Sequence, residues 1–482
     1  MTGFSPAREN SSDERRSRFA KLRATEFDYL DRLEHVYLDH TGAGLPARRQ
    51  LDAHVERIGN GCYGNPHSEN PTSLASSLLV EQTRTAVLEH FNADPAEYAV
   101  VFTPNATGAC RLVGEAFPFH KRSRLVLPLD NHNSVNGLRE FARARNAHTV
   151  YVPFSQADLR ISDDAIRQAL AGGSRKRRSD ADSGLRGLLA YPAQSNFTGV
   201  QHPLAWIAMA QEFGYQVLLD AAAFVPTNRL DLAAVHPDYV TVSWYKVFGY
   251  PTGLGCLIAR RAALAGLRRP WFSGGTIHVV SAQGDWHKMA DDETAFEDGT
   301  LNFLSIPDIA VGLRWIADVG PDAIHAHVTD LTDHLLTGAA ALRHGNGRPL
   351  VRLYGPTDVD RRGGTVTLNV LDPDGEIVDE RVVSRDSAAR GISLRTGCFC
   401  NPGAGEAAFS ISRRLLAGAI RRTTGTIDDY LRQLGLPSGG AVRVSFGLSS
   451  APGDVDTFLS FIAETYRDRP RPDDGLTPRE RC

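Results

Sequence analysis

Between residues 98 and 243 the sequence alternates short apolar runs with helical patterns, and this alternation constrains the fold more than any other feature. The apolar runs cover residues 98–103, 124–129, 149–153, 187–191, 216–220 and 239–243. Strands that are apolar throughout, and that alternate with helices, are typical of a parallel sheet covered on both faces. The sequence therefore predicts an α/β fold with a mostly parallel sheet.

The pattern changes after residue 305, where helical stretches precede apolar strands at 364–371 and 443–446. This change indicates a second, smaller α+β domain at the C-terminal end. We therefore predict four segments: an N-terminal lead, 1–35, flexible with one short helix; a large α/β domain, 36–305; a small α+β domain, 306–467; and a disordered tail, 468–482.

Two local patterns lead to further predictions within the large domain. A helix is expected over residues 68–91, with Leu74, Leu78 and Val87 on its apolar face. The polar, turn-rich run 171–184 predicts an exposed loop. We interpret the basic cluster Arg175–Arg178 inside it as part of that solvated loop rather than as a nucleic-acid or targeting patch.

Composition excludes several classes of function. The net charge of -3 among 482 residues gives no field that favours nucleic acid or an anionic membrane. The N-terminus has no apolar signal region, and no apolar run reaches the roughly 18 residues that a membrane span needs. The six cysteines show no disulfide-framework spacing. We therefore expect a cytoplasmic enzyme that keeps its thiols reduced.

Lys246 has the most unusual surroundings of any charged residue in the sequence. The chain holds only five lysines among 53 basic residues, and Lys246 alone lies between an aromatic pair and an apolar, glycine-rich stretch. Desolvation lowers the pKa of an amine, and a neutral amine can form a Schiff base, which arginine cannot do. A lysine that snorkels at a strand end fits the same stretch when it is read alone.

Two further stretches indicate which kind of ligand a lysine of this type would bind. Residues 103–108 form a small-residue turn between a strand and a helix, where backbone N–H groups can bind phosphate. Asp220 ends an apolar strand at the edge of the sheet where α/β ligands bind. Each has an ordinary alternative, a capped turn or a helix cap. An acid followed 26 residues later by a lysine is nevertheless a recurrent arrangement in pyridoxal-phosphate enzymes.

With these residues in place, the chain resembles the class V aminotransferase-fold enzymes, a fold-type-I group that includes the cysteine desulfurases. Within that group it is most similar to the N-terminal desulfurase domain of molybdenum cofactor sulfurases. The matching stretches are residues 37–46, 130–134, 191–199, 243–255, 296–300, 395–403 and 442–447. The resemblance implies pyridoxal 5'-phosphate as cofactor and a large domain with a seven-stranded, mostly parallel sheet.

The resemblance also implies roles for individual residues around the cofactor. Lys246 would be the Schiff-base lysine, Asp220 the partner of the pyridine nitrogen, His132 the side chain stacked on the ring, and Asn196 a donor to the ring hydroxyl. The phosphate contacts would come from Ala106, Thr107 and Ser243. A loop histidine and a turn asparagine are the alternatives for His132 and Asn196.

Substrate contacts and assembly follow from the same resemblance. Arg443 would grip the α-carboxylate of the substrate, with Asn196 beside it; otherwise Arg443 is a surface strand arginine. Thr276 would reach the phosphate of the other subunit in a homodimer, or else belong to a simple glycine-rich turn.

The pair Cys398 and Cys400 sets the reaction type that the resemblance implies. Cys400 matches the family's persulfide cysteine, on a mobile loop above the cofactor, and would take sulfur from L-cysteine or a related amino acid and release alanine. No metal site is expected, because zinc prefers four ligands and no second cysteine pair is present. A redox pair or two inert thiols remains an alternative, as does a C–S lyase, an aminotransferase or a silent scaffold.

The sequence departs from the family pattern at three positions. Gly405 occupies the place of a third cysteine, while Ala223 and Tyr245 replace a glutamine and a histidine found in general cysteine desulfurases. A full molybdenum cofactor sulfurase carries a further molybdopterin-binding domain, which we expect to be absent from this 482-residue chain. The sulfur acceptor is therefore unknown at this stage.

Overall fold

A computed structural model of the chain describes residues 12–155, 157–172, 185–411, 414–415, 439–470 and 476. Its centre is a seven-stranded sheet with the strand order β2-β8-β7-β6-β5-β3-β4. The strands are β2 (Tyr98–Thr103), β3 (Arg124–Pro128), β4 (His148–Val152), β5 (Gly187–Pro192), β6 (Tyr215–Asp220), β7 (Tyr239–Ser243) and β8 (Gly255–Arg260). The prediction of a seven-stranded, mostly parallel sheet is confirmed.

Strand β8 is antiparallel to both of its neighbours, β2 and β7. Only eleven residues, 244–254, connect β7 to β8. A parallel crossover needs about a dozen residues or more, so this short connection returns the chain in the opposite direction. The same connection contains the short helix α10 (Trp244–Phe248), which carries Lys246 at the edge of the sheet.

Helices cover both faces of this sheet, and the alternating apolar strands pack between them. In the first part of the chain the helices are α1 (Ser12–Glu26), α2 (Asp28–Arg32), α3 (Arg48–Gly59), α4 (Pro71–His90), α5 (Ala106–Ala116), α6 (Asn133–Asn136), α7 (Leu138–Ala144), α8 (Asp163–Ala171), α9 (Trp206–Glu212) and α11 (Arg261–Ala265). A hairpin of β9 (Ile277–Ser281) and β10 (Trp286–Met289) and a 3-10 turn, Glu293–Phe296, follow.

The second sheet has four antiparallel strands in the order β11-β12-β15-β14. They are β11 (Val351–Tyr354), β12 (Thr365–Val370), β14 (Arg395–Gly397) and β15 (Ala441–Ser445). The accompanying helices are α12 (Ile306–Val319), α13 (Pro321–Ala341), α14 (Glu380–Ala388), α15 (Pro402–Ala408) and α16 (Pro452–Tyr466). A two-stranded parallel pair, β1 (Val36–Tyr37) with β13 (Ile392–Ser393), joins the start of the large domain to this second unit.

The N-terminal lead, predicted as a flexible segment with one short helix, contains the 15-residue helix α1 in its described part. Helix α1 buries Phe19, whose ring stacks on His327 with centroids 4.0 Å apart. Arg23 donates to Asp454 at 2.6 Å, and both side chains are buried. A long-range ion pair and an apolar anchor thus attach the lead to the C-terminal unit, and local sequence does not reveal either contact.

Helix α4 also departs from the prediction in which face it buries. Val87 and Val80 are buried as an amphipathic helix requires, but Leu74 and Leu78 are 54% and 59% exposed. Polar side chains such as Ser73 and Ser76 take the inner positions instead. The helix therefore presents an apolar stripe outward from a single chain.

No helix in the described ranges is long and apolar enough to cross a bilayer. Most of the exposed loop and most of the tail predicted from the sequence lie outside the described residues, as does Cys482. Asp468, where the tail was predicted to begin, accepts a hydrogen bond from the Gly345 amide at 2.6 Å. The C-terminal unit therefore extends a few residues past its predicted end.

Candidate active site

The carboxyl ends of the parallel strands open onto one cleft. Seven of the ten residues predicted from the sequence line it: Ala106, Thr107, His132, Asn196, Asp220, Ser243 and Lys246. These residues come from five separate connections after β2, β3, β5, β6 and β7. Parallel strands deliver their carboxyl ends to a single edge, so residues up to 140 positions apart in sequence become neighbours.

Lys246 lies at the bottom of this cleft on α10. Burial lowers the pKa of its amine, the positive charges of Arg443 and Arg395 lower it further, and the nearby carboxylates of Asp220 and Asp39 partly offset these effects. The direction agrees with the expectation from its apolar neighbours. An amine with a lowered pKa is more often neutral, and only the neutral amine attacks a carbonyl carbon.

Asp220 faces Lys246 with one carboxylate oxygen held and the other available. Its Oδ1 accepts from the Ala222 amide at 3.0 Å and from the Thr241 hydroxyl at 3.4 Å. Across the described part of the chain, Oδ2 receives no hydrogen bond, although the residue is only 8% exposed. A nearly buried carboxylate oxygen without a donor fits a ligand that brings its own N–H, such as a protonated pyridine ring.

The turn before α5 has the features of a phosphate site. Asn105 caps the helix by accepting from the Gly108 amide at 2.9 Å, and the Ser243 hydroxyl accepts from the Ala106 amide at 2.9 Å. Thr107 and Ser134 share a hydroxyl–hydroxyl contact of 2.6 Å at the mouth of the cleft. The N-terminus of an eleven-residue helix, surrounded by three hydroxyl groups, favours an anion.

His132 is mostly buried over the cleft and is held in one orientation. Its Nδ1 accepts from the Ser134 amide at 3.1 Å. Burial lowers the pKa of the imidazole, and the positive charge of Lys246 lowers it further. His132 is therefore neutral near pH 7 and presents a flat, uncharged ring to the space beside Lys246.

Arg443 lies on β15, outside the residues that line the cleft, and is engaged in an ion pair that the sequence did not reveal. Its Nη2 donates to Asp39 at 2.9 Å and its Nη1 donates to the Asn196 carbonyl at 3.1 Å. Arg395 donates to the same Asp39 carboxylate at 2.6 Å. Burial raises the pKa of Asp39, but its bonds to Arg395 and the charge of Arg443 outweigh burial and lower it overall.

The guanidinium of Arg443 nevertheless keeps one donor free. Its Nε is buried and has no hydrogen-bond partner among the described residues. Burial lowers the pKa of Arg443, while its bond to Asp39 works in the opposite direction. A buried, unsatisfied donor beside Asn196 fits the recognition of one further carboxylate oxygen.

The cysteine pair lies on a turn that is hydrogen-bonded to Asn196, a residue of the cleft wall. Cys400 is exposed and Cys398 is half-buried. Asn196, which the resemblance assigned to the cofactor ring, donates its Nδ2 to the Phe399 carbonyl at 2.7 Å. The Cys400 carbonyl likewise accepts from the Asn133 amide at 2.7 Å, so the turn is hydrogen-bonded to the large domain at two points.

Thr276 lies apart from the cleft of its own chain. It is fully buried, and its hydroxyl donates to the Ser273 carbonyl at 2.8 Å within the same turn. Its predicted contact concerns the site of a second subunit, so that role stays a prediction.

Sequence reasoning assigned no role to several polar residues around the cleft. Gln194 is 3% exposed and lines the cleft, while its Oε1 accepts from Gln201 and Asn228 at 3.3 Å each. Asp130 and Asn401 are both fully buried. The sequence could have drawn attention to these residues, since each is a polar residue inside a stretch that matches the family. It could not show their hydrogen-bond partners, which are distant in sequence.

The chain matches the family model described as aminotransferase class-V over residues 36–458. It is 35% identical to a molybdenum cofactor sulfurase of Arabidopsis thaliana, an alignment that covers 94% of this chain and 58% of that protein. It is 36% identical to a human protein of the same name, over 92% of this chain and 51% of the relative. The chain therefore spans only a little over half the length of these relatives.

Among solved structures, the fold is similar to that of a cysteine desulfurase from Thermococcus onnurineus. The TM-score is 0.75 at 22% sequence identity, and the match covers 92% of this chain and 97% of that one. At this level of identity the comparison supports the fold, and the chemistry must be argued from the residues of this chain.

Proposed function

This chain belongs to the class V aminotransferase family, and from that premise we propose that it is a pyridoxal-phosphate-dependent cysteine desulfurase. It would remove sulfur from L-cysteine, release L-alanine and keep the sulfur as a persulfide on Cys400. The observation that carries the proposal is the cleft itself. Lys246, Asp220 and His132 line it together, and the turn that bears Cys400 is hydrogen-bonded to its wall through Asn196.

The residues of the cleft fit pyridoxal 5'-phosphate. Lys246 would hold it covalently, the free Oδ2 of Asp220 would accept from its ring nitrogen, and His132 would stack on its ring. Ala106, Thr107 and Ser243 would bind its phosphate at the start of α5. When bound, the cofactor supplies an electron sink that makes the Cα proton of a substrate amino acid acidic.

The substrate α-carboxylate would bind at Arg443 and Asn196. The unpaired Nε of Arg443 offers a charge-assisted donor, and Asp39 keeps the guanidinium plane fixed by holding Nη2. A guanidinium held in one plane presents this donor in a fixed direction, so it orients the substrate as well as binding it. Lys246 would also serve as the base for the Cα proton, since burial lowers the pKa of its amine.

Sulfur transfer would then proceed at Cys400. Its thiolate attacks the substrate sulfur, the carbon–sulfur bond breaks, and its electron pair returns to the substrate carbon, which takes up a proton. L-cysteine and one enzyme thiol thus give L-alanine and one enzyme persulfide, without any external oxidant. A later acceptor would take the outer sulfur from the exposed Cys400.

The proposal includes a homodimer in the cytoplasm, where thiols are kept reduced. Large apolar side chains are exposed on the single chain, among them Val55, Leu74 and Leu78 on α3 and α4 and Trp271 and Trp286 near the β9–β10 hairpin. Several large apolar side chains exposed on one chain are the kind of surface that a second subunit can cover. Light scattering of the purified chain should therefore give twice the monomer mass of 52.5 kDa.

The test of function combines colour with product analysis. Purified protein should be yellow after reconstitution with pyridoxal 5'-phosphate, and Lys246→Ala should lose the covalent chromophore. With L-cysteine and a reductant, the protein should form alanine and sulfide in equal amounts. Asp220→Asn should lower the turnover by roughly 100-fold or more, because a neutral amide cannot hold the ring nitrogen protonated.

Two cysteine variants separate the proposed reaction from its nearest alternative. Cys400→Ala should abolish alanine formation, whereas Cys62→Ala, which removes another exposed thiol, should leave it unchanged. If Cys400→Ala keeps its rate and pyruvate replaces alanine, the enzyme is a C–S lyase. An aminotransferase would instead need an added keto acid, convert L-cysteine to 3-mercaptopyruvate and release no sulfide.

A further inference from the structure

The turn that carries Cys400 has an unfavourable backbone conformation. The Asn401 amide donates to the Cys398 carbonyl at 3.1 Å, which closes a four-residue turn. Its two central residues, Phe399 and Cys400, have φ angles of +55° and +54°. Glycine and asparagine adopt this left-handed region readily, but phenylalanine and cysteine do so only when the surroundings impose it.

The surroundings impose this conformation through both central carbonyl groups. The Phe399 carbonyl accepts from Asn196 Nδ2 at 2.7 Å, and the Cys400 carbonyl accepts from the Asn133 amide at 2.7 Å. The Phe399 ring packs on Phe197 with centroids 5.3 Å apart. Each of these contacts comes from the large domain, so the turn is attached to the wall of the cleft.

The third attachment is the side chain of Asn401, and it leads to a buried carboxylate. Asn401 Nδ2 donates to Asp130 Oδ1 at 2.7 Å, while its own Oδ1 accepts from the Ala404 amide at 3.2 Å and caps α15. Asn401 and Asp130 are both fully buried. The single residue Asn401 thus connects the end of the turn to the start of α15 and to Asp130 of the large domain.

Asp130 is itself held by two further side chains. The Ser195 hydroxyl donates to Oδ1 at 2.8 Å, and His202 Nε2 lies 3.0 Å from Oδ2. With its other contacts satisfied, the carboxylate cannot rotate away from Asn401 without breaking them. A buried carboxylate fixed in this way is a rigid anchor, because any loss of a partner would leave it unsatisfied.

We propose that Asn401 and Asp130 are positioning residues that hold the Cys400 thiol in place for its attack on substrate sulfur. The inference rests on the proposed function, in which Cys400 is the nucleophile. Without the Asn401–Asp130 bond, the left-handed turn relaxes and the thiol leaves its attacking position. A displacement of about 1 Å can cost roughly 100-fold in rate, so the effect falls on turnover rather than on binding.

The test compares Asn401→Ala with a control on the helix that Asn401 caps, Glu406→Gln, whose side chain forms no hydrogen bond or ion pair with the turn among the described residues. We expect Asn401→Ala to bind cofactor with an unchanged absorption spectrum and to keep KM for L-cysteine within about threefold. Lys246 and Arg443 are untouched, and Asn196, which loses the Asn401 amide as a donor at 3.1 Å, keeps its own bond to the Phe399 carbonyl. Its kcat for alanine should fall roughly 10- to 100-fold. Glu406→Gln should keep both constants.

Hydrogen exchange supplies a readout that does not depend on activity. In Asn401→Ala, the peptides that span residues 130–136 and 396–409 should exchange at least about tenfold faster, because the amides of Asn133 and Asn401 lose protection. In Glu406→Gln they should exchange as in the parent chain. If Asn401→Ala fails to fold, Asp130→Asn serves as the second variant, since it keeps the side-chain volume and replaces one acceptor oxygen with an NH₂ group.

The outcomes separate this inference from the proposed function. If Cys400→Ala still forms alanine, the nucleophile is wrong and the inference falls with it. If Cys400→Ala is inactive while Asn401→Ala keeps its kcat, only the positioning role is overturned. Faster exchange without a loss of kcat likewise refutes it, since the turn would then be mobile and still productive.

Discussion

The ion pair between Asp39 and Arg443 offers the sharpest test of the energetics of the site. The two side chains are 13% and 3% exposed, and their charged atoms are 2.9 Å apart. Asp39→Ala leaves the Arg443 guanidinium buried, with the Asn196 carbonyl as its remaining hydrogen-bond acceptor. Removing one partner of a buried pair costs about 3–5 kcal/mol, because the other charge stays desolvated and uncompensated.

Arg395→Ala is the matched control, because it removes the other arginine bound to the same carboxylate. Its side chain is 49% exposed, so its ion pair with Asp39 is screened by water. Exposed pairs contribute about 1 kcal/mol or less. We therefore expect Asp39→Ala to cost at least 2 kcal/mol more than Arg395→Ala, by the difference between these two ranges.

Urea unfolding of the cofactor-free chain at pH 7.5 measures both variants. Tryptophan fluorescence and far-UV circular dichroism should give coincident transitions before a free energy is taken from them. The double variant Asp39→Ala/Arg443→Leu should recover part of the loss, because it removes the unpaired charge. Equal losses in Asp39→Ala and Arg395→Ala would refute the assignment of Asp39 as the buried counter-ion.

Two further predictions concern titration and thiol reactivity. Burial lowers the pKa of His327 to about 4, although its hydrogen bond to the Ser450 carbonyl raises the pKa in part. The folded state therefore keeps the imidazole neutral, while the unfolded chain takes up a proton below pH 6.5. Stability is therefore lost as pH falls from 6.5 towards 4, and His327→Gln should reduce the loss between pH 7.5 and 5.5 by about 1.4 kcal/mol in urea unfolding. Burial raises the pKa of the Cys110 and Cys256 thiols, so a thiol reagent should label these two buried cysteines only after unfolding. Exposed Cys62 and Cys400 should be labelled in the native protein, and rapid native labelling of Cys110 or Cys256 would contradict the packing.

The α/β architecture was predictable because its signal is local. Six of the seven strands of the large sheet are apolar runs whose burial on both faces follows from their composition, and each was predicted within about two residues. The positions of Lys246 and Asp220 followed from the same pattern. A residue directly after a parallel strand must lie at the carboxyl edge of the sheet, whatever the rest of the chain does.

The misassigned segments share a different physical cause. Leu74 and Leu78 were expected inside because an amphipathic pattern shows that a helix has an apolar face but does not show what covers that face. The attachment of the N-terminal lead was not predicted because the polar composition of α1 hides Phe19 and Arg23, which are buried by elements more than 300 residues away. Both features depend on neighbours that only the folded chain supplies.

By itself, the sequence determined the class of fold, the succession along the chain of the strands that carry the site, and the chemical type of each residue in the cleft. It did so because strand period, helix period and side-chain chemistry are properties of short segments. The tertiary structure alone decided which groups satisfy one another. Asp39 meets Arg443 across 404 positions because the segment after β1 runs beside β15. Asp130 meets Asn401 across 271 positions because the turn after β14 lies against the connection after β3. Buried polar groups must find partners wherever packing places them, and that requirement fastens the turn that bears Cys400 to Asn196 and Asn133 of the large domain.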